Sequence, residues 1–359
     1  MTENEKYMRM ALELAKSAEG FTNPNPMVGC VVVKEGKILA KGCHEKYGGY
    51  HAERNALLSV TEDVTGADLY VTLEPCCHHG KTPPCTDIIM EKGIGHVFVG
   101  AMDPNPKVGG KGIQILRDHG IQVTTGILEE ECLRLNEIFF HYITGKMPFV
   151  AMKYAMTLDG KIQTVTGESQ WITGEEARKH VHTLRRKYAG ILVGSETVLA
   201  DDPMLNCRIQ SGVDPVRIIC DRRLRIPVES QIVKTANDCS TIVATDMKER
   251  AGKAEKMEIL REKGIQVWET EGLEDLLKRV GKAGIDSVLA EGGATLHGSL
   301  FKSGLVQRVY AYVAPKLVGG NLAKTPVGGS GIKNLQDALP LTQTEILPLG
   351  EDVLITGRV

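Results

Sequence analysis

Tyr7, Ala11, Leu14, Ala15 and Ala18 recur at helical spacing, so the chain opens on an amphipathic helix. Asn23-Pro24-Asn25-Pro26 must end it, because proline fixes φ and turns the residue before it away from helical backbone. The apolar run over 28–33 predicts a buried strand, and Lys34-Glu35-Gly36-Lys37 a turn into a second strand through Leu39. Further runs at 69–73 and 96–100, with helical patterns between them, alternate strand with helix and imply a layered α/β domain. A helical stretch from Ile127 to about Tyr142 stops at Thr144-Gly145-Lys146-Met147-Pro148, and a fresh strand is predicted over 149–155. The domain boundary therefore falls near residue 146, dividing the chain into 1–146 and 147–359.

The second half keeps the α/β rhythm, with buried strands expected at 191–193, 216–220, 241–244, 287–290 and 308–313, but repeats none of the first half's motifs. It is a different domain and not a duplication. A length of 359 residues agrees with two domains, and 42% hydrophobic with 25% charged residues excludes disordered and fibrous classes. The 43 basic residues against 45 acidic ones leave a net charge of −2, so nucleic acid is not the expected partner. Arg185-Arg186-Lys187 and Arg222-Arg223 are too short for a phosphate-binding stripe and read as solvated helix and turn charges. The N-terminus is polar and acidic, unlike a signal peptide, and no apolar stretch approaches the ~18 residues of a membrane helix. The expected compartment is the cytoplasm, with no membrane partner. Nine cysteines are too few for a disulfide scaffold, which leaves thiols free for metal or chemistry.

Their spacing carries the first chemistry. His51-Ala52-Glu53 opens a helical run, and Pro75-Cys76 and then Cys85 follow on the loop after a predicted strand. One imidazole and two thiolates would bind zinc and leave its fourth position open, as catalytic rather than structural zinc requires. Cys85 opens the next helix, whose dipole favours a thiolate. Glu53, two residues from His51, can lie beside the metal's water without ligating and carry its proton to a leaving amine. This order is the H-x-E…P-C pattern of zinc deaminases, except that eight residues instead of two separate Cys76 from Cys85. Cys77, His78 and His79 lie in the same loop and could replace a ligand. A four-ligand structural site using one of them is the non-enzymatic alternative.

Taken together, these residues resemble the bifunctional riboflavin-biosynthesis deaminase/reductase family over nearly the whole chain. The resemblance rests on Asn25-Pro26-Met27-Val28-Gly29, His51-Ala52-Glu53, Thr72-Leu73-Glu74-Pro75-Cys76, Gly80-Lys81-Thr82-Pro83-Pro84-Cys85, and Asp103-Pro104-Asn105-Pro106 with Val108 and Gly110. The eight-residue insert is that family's own spacing. The resemblance implies a cytidine-deaminase-like α/β/α domain acting on a small-molecule diaminopyrimidinone that carries a ribose phosphate. It implies zinc on His51, Cys76 and Cys85, Glu53 as proton shuttle, and substrate contacts at Asn25, His44, Lys81 and Asn105. An asparagine amide can pair both donor and acceptor with a pyrimidine edge, and a lysine suits a phosphate.

The second half lacks a Gly-x-Gly-x-x-Gly fingerprint after a strand, so a Rossmann site is not supported. Instead a strand, Val288-Leu289-Ala290, runs into Glu291-Gly292-Gly293-Ala294-Thr295-Leu296-His297-Gly298-Ser299, where a helix start would offer free amides to a pyrophosphate. The resemblance implies a dihydrofolate-reductase-like α/β domain that uses NADPH to reduce ribosyl to ribityl. It implies cofactor contacts at Ala155, Trp171, Thr197, Asp201 and Gly293, Ala294, Thr295, Leu296, His297, Gly298 and Ser299. Ser169, Arg185, Leu205, Arg208 and Glu291 are its implied substrate contacts, with a guanidinium fork suited to phosphate. Lys153 is our candidate catalytic group for the opened sugar imine. Arg222, after Asp221, stands where the family commonly has a small hydroxyl residue; it either meets the 2′-phosphate of NADPH or points into solvent. A homo-oligomer is expected from the family alone. One rival reading is a nucleoside or nucleic-acid deaminase with a non-catalytic C-terminal binding domain. The other is a structural zinc module joined to a nucleotide-sensing domain, against which the His-x-Glu pair argues, since structural zinc needs no proton shuttle.

Overall fold

Thr2 starts helix α1 (Glu3–Lys16): its hydroxyl accepts the Glu5 N–H while the Glu5 carboxylate takes the N–H of Thr2, so two donors that a helix start leaves free are satisfied. Tyr7, Met8, Ala11, Leu12 and Ala15 form its buried face, and the helix closes at Ser17, one residue short of Ala18. This computed structural model describes residues 1–105, 108–247 and 252–359, so Pro106 of the 103–106 motif lies outside the described residues. The chain divides into two compact units, Met1–Lys146 and Met147–Val359.

The first unit is built on a five-stranded sheet of β1 (Gly29–Lys34), β2 (Lys37–Cys43), β3 (Asp68–Leu73), β4 (His96–Ala101) and β5 (Gln122–Thr125) in the order β2-β1-β3-β4-β5. β1 runs antiparallel to β2 and β3, whereas β3, β4 and β5 are parallel. Helices α2 (Ala52–Ser59), α3 (Cys85–Glu91), α4 (Lys111–Asp118), α5 (Glu129–Leu135) and α6 (Glu137–Gly145) complete the unit. Two glycines let helices lie directly on strands: a methyl group on Gly29 would overlap the carbonyl oxygen of Ala11 in α1, and one on Gly42 would come within 2.5 Å of Ala52 O in α2. The single helix expected from Ile127 is two, because Asn136 leaves helical backbone (φ −106°, ψ 22°). Its amide accepts the Met27 N–H at 2.8 Å and donates to the Met27 carbonyl at 2.9 Å. That long-range pairing outweighs the local pattern and holds the segment following Asn25-Pro26.

The second unit carries a nine-stranded sheet in the order β10-β9-β8-β7-β11-β6-β12-β14-β13. Its strands are β6 (Phe149–Thr157), β7 (Gly190–Gly194), β8 (Val216–Cys220), β9 (Thr241–Asp246), β10 (Gln266–Thr270), β11 (Ser287–Ala290), β12 (Arg308–Ala314), β13 (Thr342–Leu349) and β14 (Asp352–Arg358). The seven from β10 to β12 are parallel, and β14 and β13 close one edge antiparallel. Helices α7 (Glu175–Lys187), α8 (Ser195–Asp201), α9 (Gln231–Lys234), α10 (Ala254–Glu262), α11 (Leu273–Lys282) and α12 (Ala294–Lys302) intervene. Successive residues of a parallel strand point to opposite faces, and the core divides accordingly. Leu192 and Ile218 join Val150, Val288 and Leu277 on one side, and Ile191, Val193 and Ile219 join Leu260 and Ile232 on the other. Arg217, wholly buried, interrupts this apolar layer; its guanidinium donates to Thr241 Oγ1, Thr235 Oγ1 and the carbonyls of Met204, Ile232, Thr235 and Cys239 at 2.8–3.2 Å. Among the described residues no helix is long and apolar enough to cross a membrane.

Gly29→Ala is expected to destabilise the first unit by about 1–3 kcal/mol through overpacking. Both tryptophans, Trp171 and Trp268, lie in the second unit. The urea midpoint followed by circular dichroism should therefore fall while the tryptophan fluorescence transition stays in place.

Candidate active sites

Three elements bring the expected metal-ligating set of the first unit together. His51 is the N-cap residue of α2, Cys76 ends the excursion from β3, and Cys85 is the first residue of α3. The N–H groups of Cys85 and Thr86 both donate to the Cys76 carbonyl, at 3.0 and 3.2 Å, so the 77–84 insert leaves and returns at one point. His51 Nδ1 lies 3.4 Å from the sulfur of Cys76 and 3.4 Å from that of Cys85. A tetrahedral ion with nitrogen at ~2.0 Å and sulfur at ~2.3 Å would have an N–S edge of ~3.5 Å, so the donor set fits zinc. Among the described residues this is the group of His, Cys, Asp and Glu ligand atoms gathered within 4.8 Å of one another. Cys77 and His78 are half-buried and His79 is exposed, and none of them belongs to it.

Glu53 lies in the first turn of α2, 3% exposed. Burial, reinforced by the neighbouring Cys76 sulfur, pushes its carboxyl up to about 7. Hydrogen bonding to Cys85 and the His51 ring beside it hold Cys76 down to about 4 against burial, whereas the Cys76 sulfur and burial push Cys85 up. His44 stands edge-on to His51, with ring centroids 5.3 Å apart. Its Nδ1 faces the Tyr50 carbonyl at 3.0 Å and its Nε2 the Asn25 amide at 3.2 Å, and burial lowers its pKa. Asn25, His44 and His51 thus form one cluster. Lys81 is exposed and rests with Nζ 3.9 Å above the Tyr47 ring. Asn105 belongs to a turn in which its N–H donates to Asp103 Oδ1 at 2.8 Å.

In the second unit the centre is Glu291, just beyond β11. Arg185, in the last turn of α7, clamps both of its oxygens, Nε to Oε1 at 2.8 Å and Nη2 to Oε2 at 3.0 Å. Lys153 of β6 approaches Oε2 at 3.5 Å. Burial opposes the carboxylate, yet Arg185 and Lys153 hold Glu291 down to about 2. Burial and the Arg185 charge lower the Lys153 pKa, with Glu291 acting against them. Arg185 is therefore no solvated helix charge: its side chain is 14% exposed, and its Nη1 also donates to the Asn206 carbonyl. Arg222 is exposed.

The 293–299 segment divides in two. Gly293 is the N-cap residue of α12, and a methyl group there would meet nothing within 4 Å; the same is true of Gly194 at the end of β7. This open backbone beside free helix amides suits a nucleotide's phosphates. Ala294 and Leu296 are half-buried and Thr295 and Ser299 exposed, but Gly298 is buried and the His297 ring is fully enclosed between the carbonyls of Pro326 (3.1 Å) and Ala290 (3.2 Å). The His297 side chain is thus a core group, and only backbone is available there. Leu205 requires the same correction, since it is 3% exposed and packs in the apolar layer with Val198 and Leu224. Ser169 donates to Asp201 Oδ1 at 3.1 Å, which joins two expected contacts. Trp171 is 64% exposed under the Arg178 guanidinium, Ala155 and Thr197 are half-buried, and exposed Arg208 bonds Asn206 Oδ1 at 3.1 Å.

Sequence reasoning missed Glu74, whose buried carboxylate accepts four backbone N–H groups, although an acid ending the apolar run of β3 was a visible signal. It also missed Tyr312, which meets His180 Nδ1 at 2.7 Å and lies under Lys153, and no local pattern would have revealed that pair.

A metal-type hydrolytic site in one α/β unit and a glycine-edged, charge-paired site in a second define a two-domain deaminase and reductase. The family model described as the cytidine and deoxycytidylate deaminase zinc-binding region matches residues 1–101, and that of the RibD C-terminal domain matches 148–355. The chain is 53% identical to the riboflavin biosynthesis protein RibD of Actinobacillus pleuropneumoniae over 97% of its own length and 93% of that protein's. It is 46% identical to the RibD of Aquifex aeolicus, with 98% and 97% covered. Among solved structures it is similar to the diaminohydroxyphosphoribosylaminopyrimidine deaminase/5-amino-6-(5-phosphoribosylamino)uracil reductase of Thermotoga maritima, with a TM-score of 0.87, 39% identity and coverage of 99% and 98%. Acinetobacter baumannii RibD gives a TM-score of 0.89 at 36% identity, with 99% of both chains covered. The chain belongs to the RibD family. It is a bifunctional deaminase and reductase of riboflavin biosynthesis, with a cytidine-deaminase-like first domain, a dihydrofolate-reductase-like second domain, and zinc and NADPH as cofactors.

Because Glu291 is held down to about 2 from its ordinary 4.5, its ionised form stabilises the fold fully above that ordinary value, and the contribution disappears as pH falls through about 2. Glu291→Gln leaves Lys153 and Arg185 buried without their counter-charge and is expected to destabilise the second unit by about 3–5 kcal/mol at neutral pH. It should also flatten the acid dependence, read from the tryptophan fluorescence midpoint between pH 7 and 2.5.

Proposed function

We propose that the unit spanning 1–146 deaminates 2,5-diamino-6-(5-phosphoribosylamino)pyrimidin-4(3H)-one and that the unit spanning 147–359 then reduces the ribosyl side chain of the product to ribityl. The observation that carries this reading is the convergence of His51, Cys76 and Cys85 beside a buried carboxyl, Glu53. His51, Cys76 and Cys85 would hold zinc, which supplies a Lewis acid that makes water a nucleophile at neutral pH. Glu53 takes a proton from that water and delivers one to the departing 2-amino group, so that C–O replaces C–N and ammonia leaves. A carboxyl near neutrality can both accept and return it. Asn25, fixed by His44, offers its amide to the pyrimidine edge; Asn105 and Lys81 are the remaining contacts, with Lys81 toward the phosphate.

In the second unit the residues that face the nucleotide would hold NADPH, which would supply hydride for reduction of the opened sugar's imine carbon. Lys153, its pKa lowered by burial, gives the proton that completes the amine, and Glu291, itself clamped by Arg185, holds its ammonium in place. Ser169, Arg185, Leu205 through its backbone, Arg208 and Glu291 face the substrate. Ala155, Trp171, Thr197, Asp201 and the 293–299 backbone face the nucleotide. The reading also includes a cytoplasmic setting, which nine cysteines outside any disulfide suit, and a homo-oligomer. Supporting the latter, β13 is an edge strand with Ile346 66% and Leu347 40% exposed, an arrangement that invites pairing.

Mass spectrometry of the diaminopyrimidinone incubated with zinc-loaded protein should show the amine exchanged for oxygen without nucleotide, and two further hydrogens only with NADPH. Glu53→Gln should lower deamination about 10²–10⁴-fold with zinc retained and reduction intact, whereas Lys153→Met should abolish reduction with NADPH binding retained. Activity on cytidine or RNA without hydride transfer would instead support the nucleic-acid-deaminase reading. Sedimentation should report a dimer or larger, and Ile346→Lys should shift it toward monomer.

A further inference from the structure

Glu74 directly follows β3 and precedes Pro75 and Cys76, and it is 3% exposed. Its carboxylate is engaged by backbone N–H groups of Asp103 and of the segment 110–113. Oε2 accepts the N–H of Asp103 at 3.3 Å and of Gly110 at 3.0 Å; Oε1 accepts those of Gly112 at 3.0 Å and Ile113 at 3.3 Å. Gly110, Gly112 and Ile113 are the cap and first turn of α4, whose N–H groups have no partner inside the helix, and a negative charge is favoured there. An ionised carboxylate is acceptor-only, with lone pairs for four such donors. Contact is close enough that a methyl group on Gly112 would overlap the Pro75 carbonyl. Asn105 hangs between these anchor points: its N–H donates to Asp103 Oδ1 at 2.8 Å, its carbonyl accepts the Val108 N–H at 2.8 Å, and the Val108 carbonyl accepts that of Lys111 at 2.7 Å.

We infer that Glu74 is a positioning residue of the deaminase, locking the turn that carries Asn105 onto the chain segment that carries Cys76 and so setting Asn105 against the bound pyrimidine. This rests on the reading that Asn105 meets the substrate. The ligands themselves are placed by the starts of α2 and α3 and by the closed 77–84 insert, so the lock acts on substrate recognition and not on metal retention. In Glu74→Gln one oxygen becomes an NH2 group, which faces two N–H donors and cannot accept from them.

The experiment is a double-mutant cycle in the full-length zinc-loaded enzyme with Glu74→Gln, Asn105→Ala and the pair. Ammonia release gives KM and kcat, zinc is counted per chain, and reduction of the deaminated intermediate serves as control. Expected are wild-type zinc content and reduction, a KM raised about ten- to hundredfold in each single variant, and a double variant no worse than the worse single one. Raised KM for Asn105→Ala with wild-type KM for Glu74→Gln, or effects that multiply in the pair, overturns the role of Glu74 alone. Wild-type KM for Asn105→Ala removes the substrate reading of Asn105 and the inference with it. Loss of zinc together with kcat in Glu74→Gln shows a merely structural role and also overturns it. Should Glu74→Gln fail to fold, Glu74→Asp keeps the charge one methylene short; it must raise KM with zinc retained, and an unchanged KM counts against the inference.

Discussion

A charge taken out of water has to be answered by charges or dipoles of the chain itself, and in the second unit one such answer ties a buried cluster of three side chains together. Glu291 follows β11, Arg185 ends α7 and Lys153 lies in β6, so a single carboxylate ties three elements at the centre of a nine-stranded sheet. The two cations do different work. Arg185 engages both oxygens through its fork and fixes the carboxylate's plane, whereas Lys153 touches one oxygen at 3.5 Å and keeps its other donors free. Without the glutamate neither could stay buried as a cation, and without both cations the glutamate would not stay ionised.

The first unit separates two carboxyls by the same logic. Glu74 is surrounded by N–H donors and serves as a fixed acceptor. Glu53, a short distance along the fold, has burial and a cysteine sulfur as neighbours and is left near neutrality, where a proton can come and go. One acid is occupied by backbone donors and the other is not, a difference set by what faces each side chain.

The alternating apolar runs of both units were legible because parallel strands are buried on both faces: β8 and β11 occupy the residues their apolar runs predict, and the other expected strands differ only at their ends. The metal set was legible from residue type and order. β13 was not, since it is exposed along almost its whole length and so shows no burial signal, and β5, β10 and β14 were likewise passed over. The break at Asn136 depends on Met27, more than a hundred residues away, and no local window contains both partners. Leu205 and His297 were expected at the site because their segments are, but the sequence does not say which way a side chain turns. The basic run at 185–187 misled in the opposite direction, as its first member is buried against a carboxylate that only the fold delivers.

The 77–84 insert begins and ends on the Cys76 carbonyl, which receives the N–H groups of both Cys85 and Thr86. It is a closed ring of backbone hanging from a fixed rim. A ring hung in this way leaves the rim independent of the ring's own length, so the two sulfurs are placed by the Cys76–Cys85 closure and not by the eight residues between them. The count of residues between the cysteines is thus a property of the ring, and the separation of their sulfurs a property of the rim.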